Sequence, residues 1–156
     1  MTVYFLDTSA LVKRYHWELG SDVVEALFAE HDRHIIISDL SIIELGSALT
    51  KKVREGEATP EKYYRALGLF CQDIVTETIH VETMGEEDKA VATTLLEKYG
   101  FRANLRTLDS LQLAVMKRVA ENRLDQVFCA DRAFCSLIQQ EGLPVRNPEE
   151  ERSLQV

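Results

Sequence analysis

Little in this sequence ties it to a membrane, an oxidising compartment or a polyanion. Cys71, Cys129 and Cys135 are the only three cysteines in 156 residues, and no two form a CxxC pair. Such an odd set is expected to be reduced and partly buried, as in a cytoplasmic protein. With three prolines and seven glycines, there is no Pro- or Gly-rich linker, and no repeat or low-complexity segment interrupts the chain. No apolar run approaches membrane-spanning length, and Asp7 sits where a signal peptide would be apolar. A soluble chain without a membrane partner is therefore expected. Basic residues are also scarce. The formal net charge is -8 and the pI is near 5.0, which argues against a module that holds nucleic acid by bulk charge. It does not argue against an enzyme that handles nucleic acid through metal ions, since divalent cations invert the charge of an acidic site. The excess acid also leaves room for a basic partner protein. No P-loop, GxGxxG or GxSxG is present, and no Cys/His set has zinc spacing.

What is there is an ordinary globular composition, 46% hydrophobic and 28% charged, long enough for one domain with a real core. That domain is expected over residues 1–148, followed by an acidic polar tail, 149–156, that should fray. Val3-Tyr4-Phe5-Leu6 reads as a strand running into Asp7-Thr8-Ser9 at the start of a helix. Gly20 separates that helix from a second, with Ser21 as its expected N-cap. His31 and His34 fall in a polar turn and read as solvated. Ile35-Ile36-Ile37 is a buried strand by its β-branched run. A helix from about Ser41 to Arg54 carries the apolar stripe Ile42, Leu45, Leu49 and Val53. Thr59-Pro60 opens another helix to about Ile74. A strand at 79–81, a helix at 86–99, a loop at 100–106, a helix at about 108–122, a strand at 127–130, a helix to Gln140 and a short strand at Val145-Arg146 follow. Strands alternating with helices predict an α/β fold in three layers, with a central parallel sheet of about four to five strands.

The carboxylates carry the chemistry. Asp7, Glu44 and Asp131 each follow a strand at or near the start of a helix, and the carboxyl edge of a parallel sheet is where ligands bind. Asp109 enters from a loop and shares a helix face with Leu113, Met116 and Ala120. An unpaired charge on an apolar face costs several kcal/mol, roughly, unless compensated, and a metal ion is one compensation. Competing readings exist for each. Asp7 and Asp131 have the character of N-caps, Ser41 to Glu44 fits a capping box, and Asp109 has Arg106 three residues before it. These readings predict a mix of Ser, Thr, Asn and Asp at helix starts, whereas here the ionised residue recurs. Four converging carboxylates suit Mg²⁺ or Mn²⁺. Asp22, Asp39, Asp73, Asp88 and Asp125 read as solvated.

The motifs resemble those of PIN-domain ribonucleases of the VapC toxin type. The matching stretches are Leu6 to Lys13, Ser41 to Leu45 with Ala48-Leu49, Leu105 to Ala114, and Phe128 to Phe134, in the family's order. The resemblance implies Mg²⁺- or Mn²⁺-dependent endonucleolytic cleavage of RNA at an acidic pocket. It also implies a VapB-type antitoxin partner and a homodimer. By residue-by-residue carry-over, Asp7, Glu44, Asp109 and Asp131 are the catalytic and metal-holding set, with Asp7 and Asp109 as direct ligands. Cys129 departs from the family, which often has Thr or Ser two residues before the fourth acid, so a hydroxyl is missing there. Lys13, Arg14, Arg102, Arg106 and Arg132 lie near the motifs as candidate phosphate contacts. The alternative is a catalytically silent PIN-like domain that holds RNA or a protein. A haloacid dehalogenase-type phosphatase needs a second Asp where Ser9 stands, and a receiver domain needs a late strand-end Lys where Arg132 follows the last acid.

Overall fold

A computed structural model describes residues 1–151. Five parallel strands run in the order β3-β2-β1-β4-β5: β1 Thr2–Leu6, β2 Arg33–Ser38, β3 His80–Glu82, β4 Gln126–Phe128 and β5 Val145–Arg146. The helices are α1 Thr8–Tyr15, α2 Ser21–Ala29, α3 Leu40–Arg54, α4 Pro60–Val75, α5 Glu86–Tyr99, α6 Thr107–Asn122 and α7 Arg132–Gln140. From β1 the chain moves outward to β2 and β3, then returns to place β4 on the other side of β1. The reversal point of the sheet is thus the β1–β4 boundary, where Leu6 is in register with Phe128. In open parallel sheets that is where a crevice forms at the carboxyl edge.

Strand side chains alternate faces. Val3, Phe5, Ile36 and Val127 pack against α5, α6 and α7 through Leu95, Tyr99, Leu113, Met116, Phe134 and Ile138. Leu6, Ile35, Ile37 and Phe128 pack against α1 to α4 through Leu11, Val24, Phe28, Leu45, Leu49 and Phe70. The result is the expected three layers. Among the described residues, no helix is long and apolar enough to cross a membrane.

Several local expectations are corrected. Ser21 does not cap α2. Its hydroxyl accepts from the Glu18 amide at 2.9 Å, and Gly20 precedes the helix at φ +86°. A Cβ on Gly20 would lie 2.9 Å from the Pro148 carbonyl carbon, so close chain packing sets this position. Helix α3 starts at Leu40, one residue before Ser41, so the Ser41–Glu44 capping box does not form. Ser41, Leu45 and Leu49 are its buried side, while Ile42 is exposed. Asp73 and Asp88 are buried rather than solvated. Asp73 accepts from the Tyr15 hydroxyl at 2.7 Å and from Arg14 at 3.3 Å. Asp88 accepts from Arg118 at 3.0 Å and from the Gly85 amide at 2.8 Å. At the chain's end Glu149 pairs with buried Lys13 at 2.7 Å, Glu150 with Arg132 at 2.7 Å, and Glu151 with Arg146. The expected tail thus begins as an anchored segment, and residues 152–156 lie outside the described residues.

Candidate active site at the carboxyl edge

The four predicted acids line one open cleft of about 430 Å³, together with Ser9, Ile43, Lys51, Arg54, Arg106 and Leu108. Asp7 is delivered by β1. Its amide donates to the Phe128 carbonyl across the reversal point at 3.0 Å. Glu44 projects from the second turn of α3, Asp109 from the first turn of α6, and Asp131 caps α7. The capping reading holds for two of them as well. Asp7 accepts from the Ser9 amide at 3.2 Å, and Asp131 accepts from the Phe134 amide at 3.1 Å. A carboxylate has lone pairs for both tasks.

Each acid is held differently. Asp7 is 7% exposed, and the Ser9 hydroxyl donates to its Oδ2 at 2.6 Å. That hydroxyl accepts from the Ala130 amide at 2.9 Å, so Ser9 bridges the ends of β1 and β4. Ser9, in the first turn of α1, thus brings a hydroxyl beside Cys129, with its Oγ 3.7 Å from the cysteine sulfur. Cys129 itself is buried, with its sulfur 3.7 Å from Asp7 Oδ2. Glu44 accepts from Gln112 Nε2 at 2.7 Å and from Thr8 Oγ1 at 3.3 Å. Gln112 is buried, donates also to Ser41 at 3.0 Å and accepts from Ser38 at 2.9 Å. Asp109 accepts from Arg106 Nε at 3.2 Å, and Arg106 Nη2 lies 3.9 Å from Asp131 Oδ2.

Burial pushes the Asp7 carboxyl up to about 6; the Ser9 hydrogen bonds oppose this, and the charges of Glu44 and Asp109 add to it. Among the described residues, no three acids, cysteines or histidines stand close enough to form a ready-made cage around an ion. The acids nevertheless feel one another's charge. All four offer hard oxygens, and Mg²⁺ binds through one or two carboxylates while keeping several waters. An open set around one buried, uncompensated carboxylate fits such an ion.

Of the five basic residues singled out from sequence, only Arg106 lines this cleft. Lys13 is buried between Glu18 and Glu149. Arg14 lies over the Phe28 ring and pairs with Glu25 and Asp73. Arg132 pairs with Glu150, and Arg102 is an exposed loop residue. The other cleft cations, Lys51 and Arg54, come from α3. Their signal is the helical spacing Glu44, Ser47, Lys51, Arg54, which places them along one face leading away from the acid.

A parallel α/β sheet whose reversal point gathers carboxylates from separate elements defines the class of acidic-cleft α/β domains. The particular family follows from the sequence pattern. The PIN domain model matches residues 4–137, and the chain belongs to the PIN domain family. No curated protein sequence matches it. Among solved structures it is similar to Mycobacterium tuberculosis VapC20, a sarcin-ricin loop cleaving toxin, at 17% identity and a TM-score of 0.65. That match covers 90% of this chain and 95% of the other. It is similar to FitAcB from Neisseria gonorrhoeae at 15% identity and a TM-score of 0.64, covering 95% and 99%. VapBC2 from Rickettsia felis, bound to a promoter DNA fragment, gives 18% identity and a TM-score of 0.61, covering 94% and 98%.

Proposed function

We propose that the protein is a divalent-metal-dependent endoribonuclease, the toxin half of a toxin–antitoxin pair. The observation that carries this reading is the convergence of Asp7, Glu44, Asp109 and Asp131 on one cleft, with Asp7 buried and its charge unmatched by any cation in direct contact among the described residues. Asp7 and Asp109 would hold Mg²⁺ or Mn²⁺ directly, with Glu44 and Asp131 completing the set. When bound, such an ion supplies Lewis-acid stabilisation of phosphoryl charge and a water made more acidic than in bulk. The chain's own groups orient the acids. Ser9 fixes one oxygen of Asp7, and Gln112 with Thr8 fixes one oxygen of Glu44. Lys51, Arg54 and Arg106 surround these acids with the positive charge that an RNA backbone requires. In-line hydrolysis with the 3′ oxygen leaving yields 5′-phosphate and 3′-hydroxyl ends.

The antitoxin partner is supported by the similar structures solved as toxin–antitoxin complexes. It is supported also by the net charge of -8, which favours a basic segment docking on the acidic cleft. A homodimer and a cytoplasmic setting belong to the same proposal. The test is RNA cleavage by Asp109→Asn alongside wild type, with EDTA and Mn²⁺ add-back. Loss of cutting with a preserved cooperative melt is expected, and full activity in Asp109→Asn would sink the assignment.

A further inference from the structure

Arg106 is the one cation of the described residues that touches the acidic set directly. It precedes α6 in extended conformation, at φ -80° and ψ 162°, so its side chain leaves the loop where the helix begins. Its Nε bonds Asp109 Oδ2 at 3.2 Å, and its Nη2 reaches toward Asp131 Oδ2 at 3.9 Å. The guanidinium is 66% exposed, while the Asp109 side chain is 15% exposed. An ion pair this open adds little to folding, because water and salt screen it. Stability therefore does not explain a planar fork aimed at two carboxylates from different helices.

Electrostatics does. Four acids on one cleft repel one another, and a guanidinium between two of them removes part of that repulsion. The oxygens Arg106 uses belong to acids that a hard cation would take. Arginine cannot lose its proton, so it and a dication oppose each other at those oxygens.

We propose that Arg106 is a built-in counter-ion, which competes with the divalent cation for Asp109 and Asp131 and, once released, meets the substrate's phosphodiester backbone. Lys51 and Arg54 on α3 line the same cleft. A strand crossing it meets positive charge from α3 and from the start of α6. The proposal rests on the metal-dependent reading of the cleft, so its test separates the two.

Mn²⁺ affinity is measured at low salt by electron paramagnetic resonance of the free ion, for wild type, Arg106→Ala, Arg106→Lys and Asp109→Asn. Thermal melts verify that each variant is folded. Arg106→Ala should bind Mn²⁺ roughly two- to fivefold more tightly than wild type, and the difference should shrink at high salt. Asp109→Asn should bind more weakly. At saturating Mn²⁺, Arg106→Ala should raise KM for RNA severalfold with a smaller change in kcat, and Arg106→Lys should recover part of that KM. Equal or weaker Mn²⁺ binding by Arg106→Ala overturns the counter-ion role while leaving the metal site standing. Tighter binding with unchanged KM overturns the substrate role. A wild-type protein that binds no Mn²⁺ overturns the reading of the cleft itself, and the counter-ion role with it.

Discussion

The costliest single group in the site is Asp7. Its carboxyl sits at about 6 in the fold against 3.8 for an ordinary aspartate, with burial as the first cause. An acid whose folded value is raised favours the fold when protonated. That contribution is complete below the unfolded value and is lost as pH rises through about 6. At pH 7 the ionised group therefore opposes folding, by about 3 kcal/mol at most on a shift of roughly two units. Asp7→Asn keeps an acceptor for Ser9 and a good helix cap. The metal-free variant should therefore melt above wild type at pH 7 to 8, with the gap closing by pH 4, as calorimetry would show. Asp7 is legible from sequence because a strand runs into it. The roles of Ser9 and Gln112 are not, since a hydroxyl and an amide carry no charge signal. Their site roles depend on partners far along the chain, the Ala130 amide for Ser9, 121 positions away, and Glu44 for Gln112, 68 positions away.

At the scale of elements, strand placement follows from β-branched runs and helix placement from apolar spacing, and α5 spans the expected Glu86–Tyr99. Spacing does not reveal which polar residues turn inward. Glu141, just past α7, is an example. It accepts from Lys117 at 2.6 Å, from Lys98 at 2.6 Å and from the Tyr99 hydroxyl, joining three helices. Burial alone would raise its carboxyl, but Lys117, Lys98 and Tyr99 hold it down at about 2. Glu141→Ala should destabilise the fold by about 1–3 kcal/mol, discounted because both lysines are half-exposed. Denaturant melts would measure this, and RNA cleavage at a permissive temperature should match wild type. The buried stripe of α3 is offset by one position from its expected start because Ser41, not Ile42, faces the Thr8–Gln112 network.

Across the whole molecule, the strand order brings together acids separated by up to 124 positions, from Asp7 to Asp131, at the β1–β4 boundary. That order cannot be read from spacing, although parallel topology and a carboxyl-edge site can. Long-range closure also appears at the chain's end, where the backbone of Pro148 abuts Gly20 and Glu149 reaches Lys13. Gly20→Ala must hold a side chain at φ +86° and push against that backbone. A loss of about 1–3 kcal/mol is expected, read as a lower melting temperature.

The central claim is that the four acids make a metal-dependent ribonuclease site. It is tested most directly by incubating wild type and Asp7→Asn with end-labelled single-stranded RNA in Mg²⁺, with and without EDTA. Wild type should cut, EDTA should abolish the cutting and excess Mg²⁺ restore it, the products should carry 5′-phosphate ends, and the folded Asp7→Asn protein should not cut. Cutting that survives EDTA, or that persists in Asp7→Asn, would contradict the claim.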